Sequence, residues 1–216
     1  MHHPIKPEAD AAPARRGETK RERLIDIGTE IFTQKGFSST GLDEIVQAAA
    51  VPKGSFYYFF GNKQAFALAV IDNHARCFAG KLDRTLGDAG MSPLQRLKAF
   101  TLDATQGMQR FNFRRGCLVG NLGQELAGLE DHFRCRLLAV LDDWRDRVRS
   151  CIAEAQASGE ITTPLDAALL AQFFWSAWEG AVLCAKLERS TRALNNVATL
   201  FFNHLLQPAP TAPAPP

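Results

Sequence analysis

Apolar residues in this chain recur at intervals of three and four and do not alternate over a strand's length, which predicts an all-α fold. Leu24, Ile27, Ile31 and Phe32 share one face of a first helix, and Gly36 fits its C-terminal cap. A short second helix is expected over 40–49, built on Leu42, Ile45 and Val46, with Thr40 as N-cap and Asp43 in the capping-box position. Val51-Pro52 breaks it, a very aromatic third helix covers 54–60, and a longer fourth runs from Lys63 to about Leu86. Ser92, Pro93 and Gln95 supply the N-cap, first-turn proline and capping box of a fifth helix. Its stripe is Leu94, Leu97, Thr101, Ala104, Met108 and Phe111. Helix resumes over 117–127 and again from near Leu137 to Gly159. A further helix opens at Thr163-Pro164-Leu165-Asp166 and runs to about Glu188, and a last one covers 191–206.

The order of elements divides the chain. Residues 1–16 read as a disordered arm, 17–65 as a compact head, 66–206 as a helical body, and the Pro/Ala run 207–216 as a disordered tail. His2 and His3 are equally consistent with a tag remnant or with native sequence. The chain has 216 residues and a formal net charge of +2, so any contact with nucleic acid must come from local patches. No uninterrupted apolar run reaches the length of a membrane span, and the arm lacks the hydrophobic segment of a signal peptide. Cys77, Cys117, Cys135, Cys151 and Cys184 are odd in number and irregular in spacing, which suits reduced thiols in the cytoplasm. His74 with Cys77, and His132 with Cys135, sit three apart. A metal sensor would need the two pairs to converge. No phosphate loop, nucleophile triad or paired-carboxylate motif points to an enzyme, and no cofactor is expected.

Two short helices joined by a tight break suggest a helix-turn-helix. The run Gly36-Phe37-Ser38-Ser39-Thr40-Gly41-Leu42-Asp43-Glu44-Ile45, then Ala48 to Val51, then Lys53-Gly54-Ser55-Phe56-Tyr57-Tyr58-Phe59-Phe60 and Asn62-Lys63, resembles the DNA-binding head of the TetR family of repressors. The third helix opens with small residues, so its backbone can approach a groove. Lys53, Ser55, Tyr57, Tyr58 and Lys63 offer donors to double-stranded DNA. The resemblance implies that Lys53, Ser55 and Tyr57 read bases or phosphates, and that Tyr58, Lys63 and Thr40 clamp phosphates. Phe56 and Phe60 read as core; core packing is the competing reading for Tyr57 and Tyr58. Ala50 replaces a frequent turn glycine, and Phe59 a frequent polar donor. Arg15, Arg16, Lys20, Arg21 and Arg23 form a basic arm for the DNA backbone or minor groove, or merely solvated charge.

In the body, Phe111 to Glu125 carries three glycines where unbroken helix would be cheaper by about 1 kcal/mol per residue. Arg114, Arg115, Cys117, Asn121, Trp178 and Glu179 are the candidate ligand-binding residues, with Arg suited to a carboxylate. Glu179 needs a partner if buried, and Arg114 or Arg115 is the candidate. Cys117 is either a small buried hydrophobe or, beside two cations, a stabilised thiolate. Together with Phe174 to Ala181 and Ala185 to Glu188, this segment is similar to a TetR subgroup that senses small reactive or unsaturated compounds. That resemblance implies an inducer such as acrylate or a related short unsaturated acid, or alternatively thiol modification by an electrophile at Cys117. Small residues Ala177, Gly180, Ala181, Cys184 and Ala185, with the stripe Leu194, Val197, Phe201 and Leu205, predict a homodimer through the last two helices. The fourth helix is the expected lever between body and head.

Overall fold

The computed structural model describes residues 19–207, so the expectations for the arm, for His2-His3 and for nearly all of the tail lie outside the described residues. The helices are α1 (Lys20–Lys35), α2 (Leu42–Ala48), α3 (Lys53–Phe60), α4 (Lys63–Leu86), α5 (Pro93–Arg110), α6 (Leu118–Leu126), α7 (Asp131–Ala157), α8 (Ala167–Glu188) and α9 (Arg192–Leu200). A π-helical turn, Phe201–Leu205, finishes α9, where an unbroken helix was expected. Among the described residues there is no β-strand, and the all-α expectation holds.

Local chemistry sets most boundaries. Thr19 and Glu22 close a capping box on α1, so Lys20, Arg21 and Arg23 stand in its first turn and not in an extended arm. Ser92 and Gln95 cap α5 as the sequence predicts. Thr40, however, is not an N-cap. Its hydroxyl is buried and donates to the Gly36 carbonyl at 2.7 Å, Gly41 takes the cap position, and Asp43 instead pairs with Lys53 at 2.7 Å. Ala50 adopts φ +50°, so the turn between α2 and α3 accepts a methyl group in the left-handed region.

In the head, Phe32 of α1, Phe56 and Phe60 of α3 and Phe66 of α4 meet with centroids 4.9–5.9 Å apart. This buried cluster fixes α3 against the start of α4. In the body, α7 is the central element and packs on α4, α5, α6 and α8, while α9 lies along α8. The predicted stripe of α9 turns inward: Leu194 and Phe201 are buried and Val197 and Leu205 are half-buried against the core. Ala181 and Ala185 of α8 are likewise interior. The large outward apolar groups are Leu169, Phe173, Leu183 and Leu187 of α8 and Leu200 of α9. By length and mean hydropathy α8 would suffice to cross a membrane, a feature missed by looking only for uninterrupted apolar runs. Its inner face, with Phe174, Trp175 and Trp178, is part of the core.

Candidate functional site

The outward surface of α3 gathers most of the expected DNA-contacting groups. Phe56 and Phe60 anchor the helix inward, which leaves Tyr57 50% and Tyr58 85% exposed and Lys53 exposed beside a half-buried Ser55. The core reading of the two tyrosines is therefore excluded. Lys53 is held by Asp43 across the turn, and that hydrogen bond and charge raise its pKa. Lys63 departs from expectation. Its ammonium donates to the Phe37 carbonyl at 2.6 Å and lies 4.1 Å over the Phe37 ring, and burial lowers its pKa against the pull of Glu125. A hydroxyl spent on Gly36 and an ammonium turned to Phe37 take Thr40 and Lys63 out of the outward-facing set.

The second site is a cavity of about 310 Å³ in the body. Its wall comes from α4 (His74, Phe78), α5 (Phe100, Met108), α7 (Trp144), α8 (Trp175, Trp178, Glu179) and the segment Arg115-Gly116-Cys117. Of the six predicted ligand residues it brings together Arg115, Cys117, Trp178 and Glu179. Arg114 is exposed and absent from the wall. Asn121 is structural: its amide donates to the Thr33 carbonyl at 2.9 Å, tying α6 to α1. Arg115 stacks 4.0 Å over Phe111 and pairs with Glu30 at the cavity edge.

Glu179 finds neither arginine. It lies over the first turn of α6 against the Cys117 thiol, where a Cβ on Gly120 would collide with its Oε2. Gly120 is the residue that admits this approach. Burial pushes the Glu179 carboxyl up to about 7, with the thiol hydrogen bond opposing. Cys117 is the N-cap of α6, its sulfur accepting from Gly120 N at 3.4 Å. A helix N-terminus lowers a thiol's pKa, but burial and the neighbouring carboxyl win and hold this thiol well above its usual value. The two arginines do not make it a thiolate. His74 is kept neutral because burial lowers its imidazole to about 4. Trp144 and Trp175, whose rings meet at 5.0 Å, place two indole N–H groups in buried surroundings with no protein partner.

The two sites are joined by α6. At its start Gly116 N donates to the Thr33 carbonyl at 3.0 Å. At its far end the Glu125 carboxylate accepts from Phe37 N at 2.6 Å and from Ser38 N, in the loop between α1 and α2. Gly36 in that loop has φ +82°, and a Cβ there would press on Glu125. Burial raises the Glu125 pKa, but the Ser38 and Phe37 donors and Lys63 outweigh it and leave it lowered. Sequence reasoning missed Glu125, His74, Phe78 and Trp144, because their roles arise only from contacts between elements distant in the chain. Among the described residues no group of three His, Cys, Asp or Glu side chains is placed to hold a metal ion.

A head that presents an outward helix-turn-helix, tied to a hollow helical body, defines the class of ligand-responsive transcriptional regulators. Residues 24–70 match the family "Bacterial regulatory proteins, tetR family", and residues 93–201 match "Tetracyclin repressor-like, C-terminal domain". The chain belongs to the TetR family. It is 48% identical over 185 residues to the transcriptional regulator AcuR of Cereibacter sphaeroides, covering 86% of this chain and 84% of that one. It is 35% identical to the HTH-type transcriptional repressor DhaR of a Mycobacterium species, covering 86% and 92%. A crystal structure of regulatory protein TetR from Rhodobacter sphaeroides superposes with TM-score 0.83 at 48% identity, covering 86% of this chain and 98% of that one. Reduced Escherichia coli NemR superposes with TM-score 0.78 at 28% identity, covering 88% and 100%.

Proposed function

We propose that the chain is a cytoplasmic repressor that holds operator DNA as a homodimer until a small unsaturated carboxylate, acrylate in the simplest case, enters the cavity. The observation that carries the reading is α6, whose N-cap Cys117, with Gly116 before it, closes the cavity while Glu125 at its last turn grips the loop that positions α2. Residues 17–65 act as the DNA-binding unit and 66–206 as the sensing and dimerising unit. Lys53, Ser55, Tyr57 and Tyr58 contact DNA, and the amides at the start of α2 add phosphate donors. Ligand binds most tightly to a body conformation in which α4 and α6 hold the two heads at the wrong spacing for two half-sites. The buried, protonated Cys117 thiol favours reversible binding over covalent capture.

The dimer reading is supported by the uncovered apolar face of α8 and α9, where Leu187 is 76% and Leu200 58% exposed. The test of the whole reading is operator binding at fixed salt, with and without acrylate, repeated with Cys117→Ser. Release in both proteins is the expected result. Release only with the intact thiol would establish covalent sensing, and operator binding that ignores acrylate would remove it as inducer.

A further inference from the structure

The charges in the cavity wall leave no free cation for an anionic ligand. Lys81 of α4 is paired with Asp103, and Arg115 with Glu30, so each is already matched by a carboxylate from outside the wall. Glu179 of α8 is the remaining charged group there, and it forms no ion pair among the described residues. Lys186, two turns further along α8, is turned to Gly116, with its Nζ 3.4 Å from where a Cβ on that glycine would stand. From α5, α7 and α9 the wall receives no charged group. An ionised Glu179 would repel an incoming carboxylate at close range, where little water screens the charges.

The uncharged polar groups narrow the choice further. The hydroxyls of Thr29 and Thr33 on α1 donate to the Ile25 and Thr29 carbonyls of their own helix. The Trp144 and Trp175 side chains are fully buried behind the wall. Glu179, Cys117 and His74, by contrast, each keep accessible surface where they border the cavity. Of these three, burial holds the His74 imidazole down to about 4 and the Cys117 thiol well above its usual value, so both stay neutral between pH 6 and 8. Glu179, raised to about 7, lies in the middle of that range. A protonated carboxyl is a hydrogen-bond donor, and an O–H···O⁻ bond to a carboxylate is among the strong ones.

We propose that Glu179 is the residue that receives the inducer's carboxylate, as a protonated carboxyl donating to it, so that each ligand bound above neutral pH draws one proton from solvent. This rests on the carboxylate-inducer reading and assigns how that same cavity accepts an anion. The proton enters on a Glu179 oxygen and is shared with the ligand oxygen, and no covalent bond to the ligand forms or breaks. Once seated, the ligand's charge binds the proton more firmly, as in other paired carboxyls. The Cys117 thiol, already against Glu179, and the His74 ring are the neighbouring neutral groups open to the cavity.

The experiment titrates acrylate calorimetrically into the full-length protein at pH 6, 7 and 8, at each pH in two buffers of different ionisation enthalpy, so that the buffer dependence of the heat counts protons. Operator release is measured at the same pH values, and both series are repeated with Glu179→Gln. Uptake is expected to be near zero at pH 6, about half a proton at pH 7 and nearly one at pH 8, with affinity falling roughly tenfold from pH 6 to pH 8. The acrylate concentration that releases the operator should rise by the same factor. Glu179→Gln keeps an N–H donor but cannot titrate, and should bind acrylate with no proton uptake and an affinity independent of pH. A thermal melt shows that the variant is folded. Uptake that persists in the variant, or a wild-type affinity that is constant from pH 6 to pH 8, would overturn the proposal and leave acrylate as inducer. Loss of acrylate binding by the folded variant at pH 6 would overturn it too, because the amide still offers the ligand a donor. A wild-type protein that holds its operator but neither binds nor answers to acrylate at any of the three pH values would overturn both readings.

Discussion

Glu179 is a carboxyl placed where ionisation is costly. Its folded value of about 7 lies above the ordinary 4.5, because burial disfavours the charge. Below 4.5 the folded and unfolded chains are both protonated there and stability is unaffected. Between 4.5 and 7 the unfolded chain ionises first, so stability falls as pH rises, and above 7 the full penalty applies. Glu179→Gln should therefore raise Tm at pH 8, by the equivalent of up to about 3 kcal/mol, with most of the gain gone at pH 5. Thermal melts across that range check it. Burial and, after it, this carboxyl hold the Cys117 thiol up, so the same variant should speed alkylation of Cys117 at a given pH. Sequence reading selected both residues because a charge in an apolar helix and a thiol among glycines are anomalous locally. It paired Glu179 with the wrong neighbour, because the choice between an arginine three residues from α6 and a thiol at its cap depends on how α8 crosses α6. At Thr40 the competition was local but undecidable from composition. The hydroxyl could cap α2 or reach back four residues to Gly36, and the second wins because the side chain is buried.

At the scale of elements, α3 and α6 carry the argument. The pattern of anchors and exposed rings on α3 follows from five adjacent positions, 56–60, so the outward-facing set Lys53, Ser55, Tyr57 and Tyr58, proposed to contact DNA, was largely legible. Tyr58→Phe should leave Tm unchanged and weaken operator binding several-fold, about 1 kcal/mol, as read by fluorescence anisotropy. The role of α6 was not legible, since its glycines advertise irregularity without saying what approaches them. Its three ties to α1 and to the loop after it involve Gly116, Asn121 and Glu125. Glu125→Gln leaves a weaker, neutral acceptor for the Phe37 and Ser38 amides and removes the charge beside Lys63. Amide hydrogen exchange at Phe37 and Ser38 should quicken while exchange in α7 stays as before. Unchanged exchange at both amides would show that the tie does not restrain the loop.

For the whole molecule, the distribution of apolar surface matters more than its amount. A helix apolar on all sides is ordinarily buried on all sides, yet α8 leaves Phe173, Leu183 and Leu187 exposed in the single chain. Sequence periodicity could identify α8 and α9 as the pair with surface to spare but not which stripe faced outward, because the inner and outer faces are almost equally apolar. Leu187→Glu should convert the protein to a monomer in light scattering and abolish tight operator binding, with secondary structure retained by circular dichroism. A dimeric variant would place the interface elsewhere.

The contact between Gly120 and Glu179 has a hereditary consequence. Any side chain at 120 would collide with the carboxyl, and any residue at 179 too short to reach α6 frees 120 to vary. The dependence runs one way: 179 can shorten while 120 stays glycine, but a side chain at 120 needs the carboxyl at 179 displaced or gone. Among descendants of this gene, loss of the glycine should therefore follow loss of the glutamate more often than precede it. A lineage carrying alanine at the first and glutamate at the second should hold the carboxyl swung away from the first turn of α6.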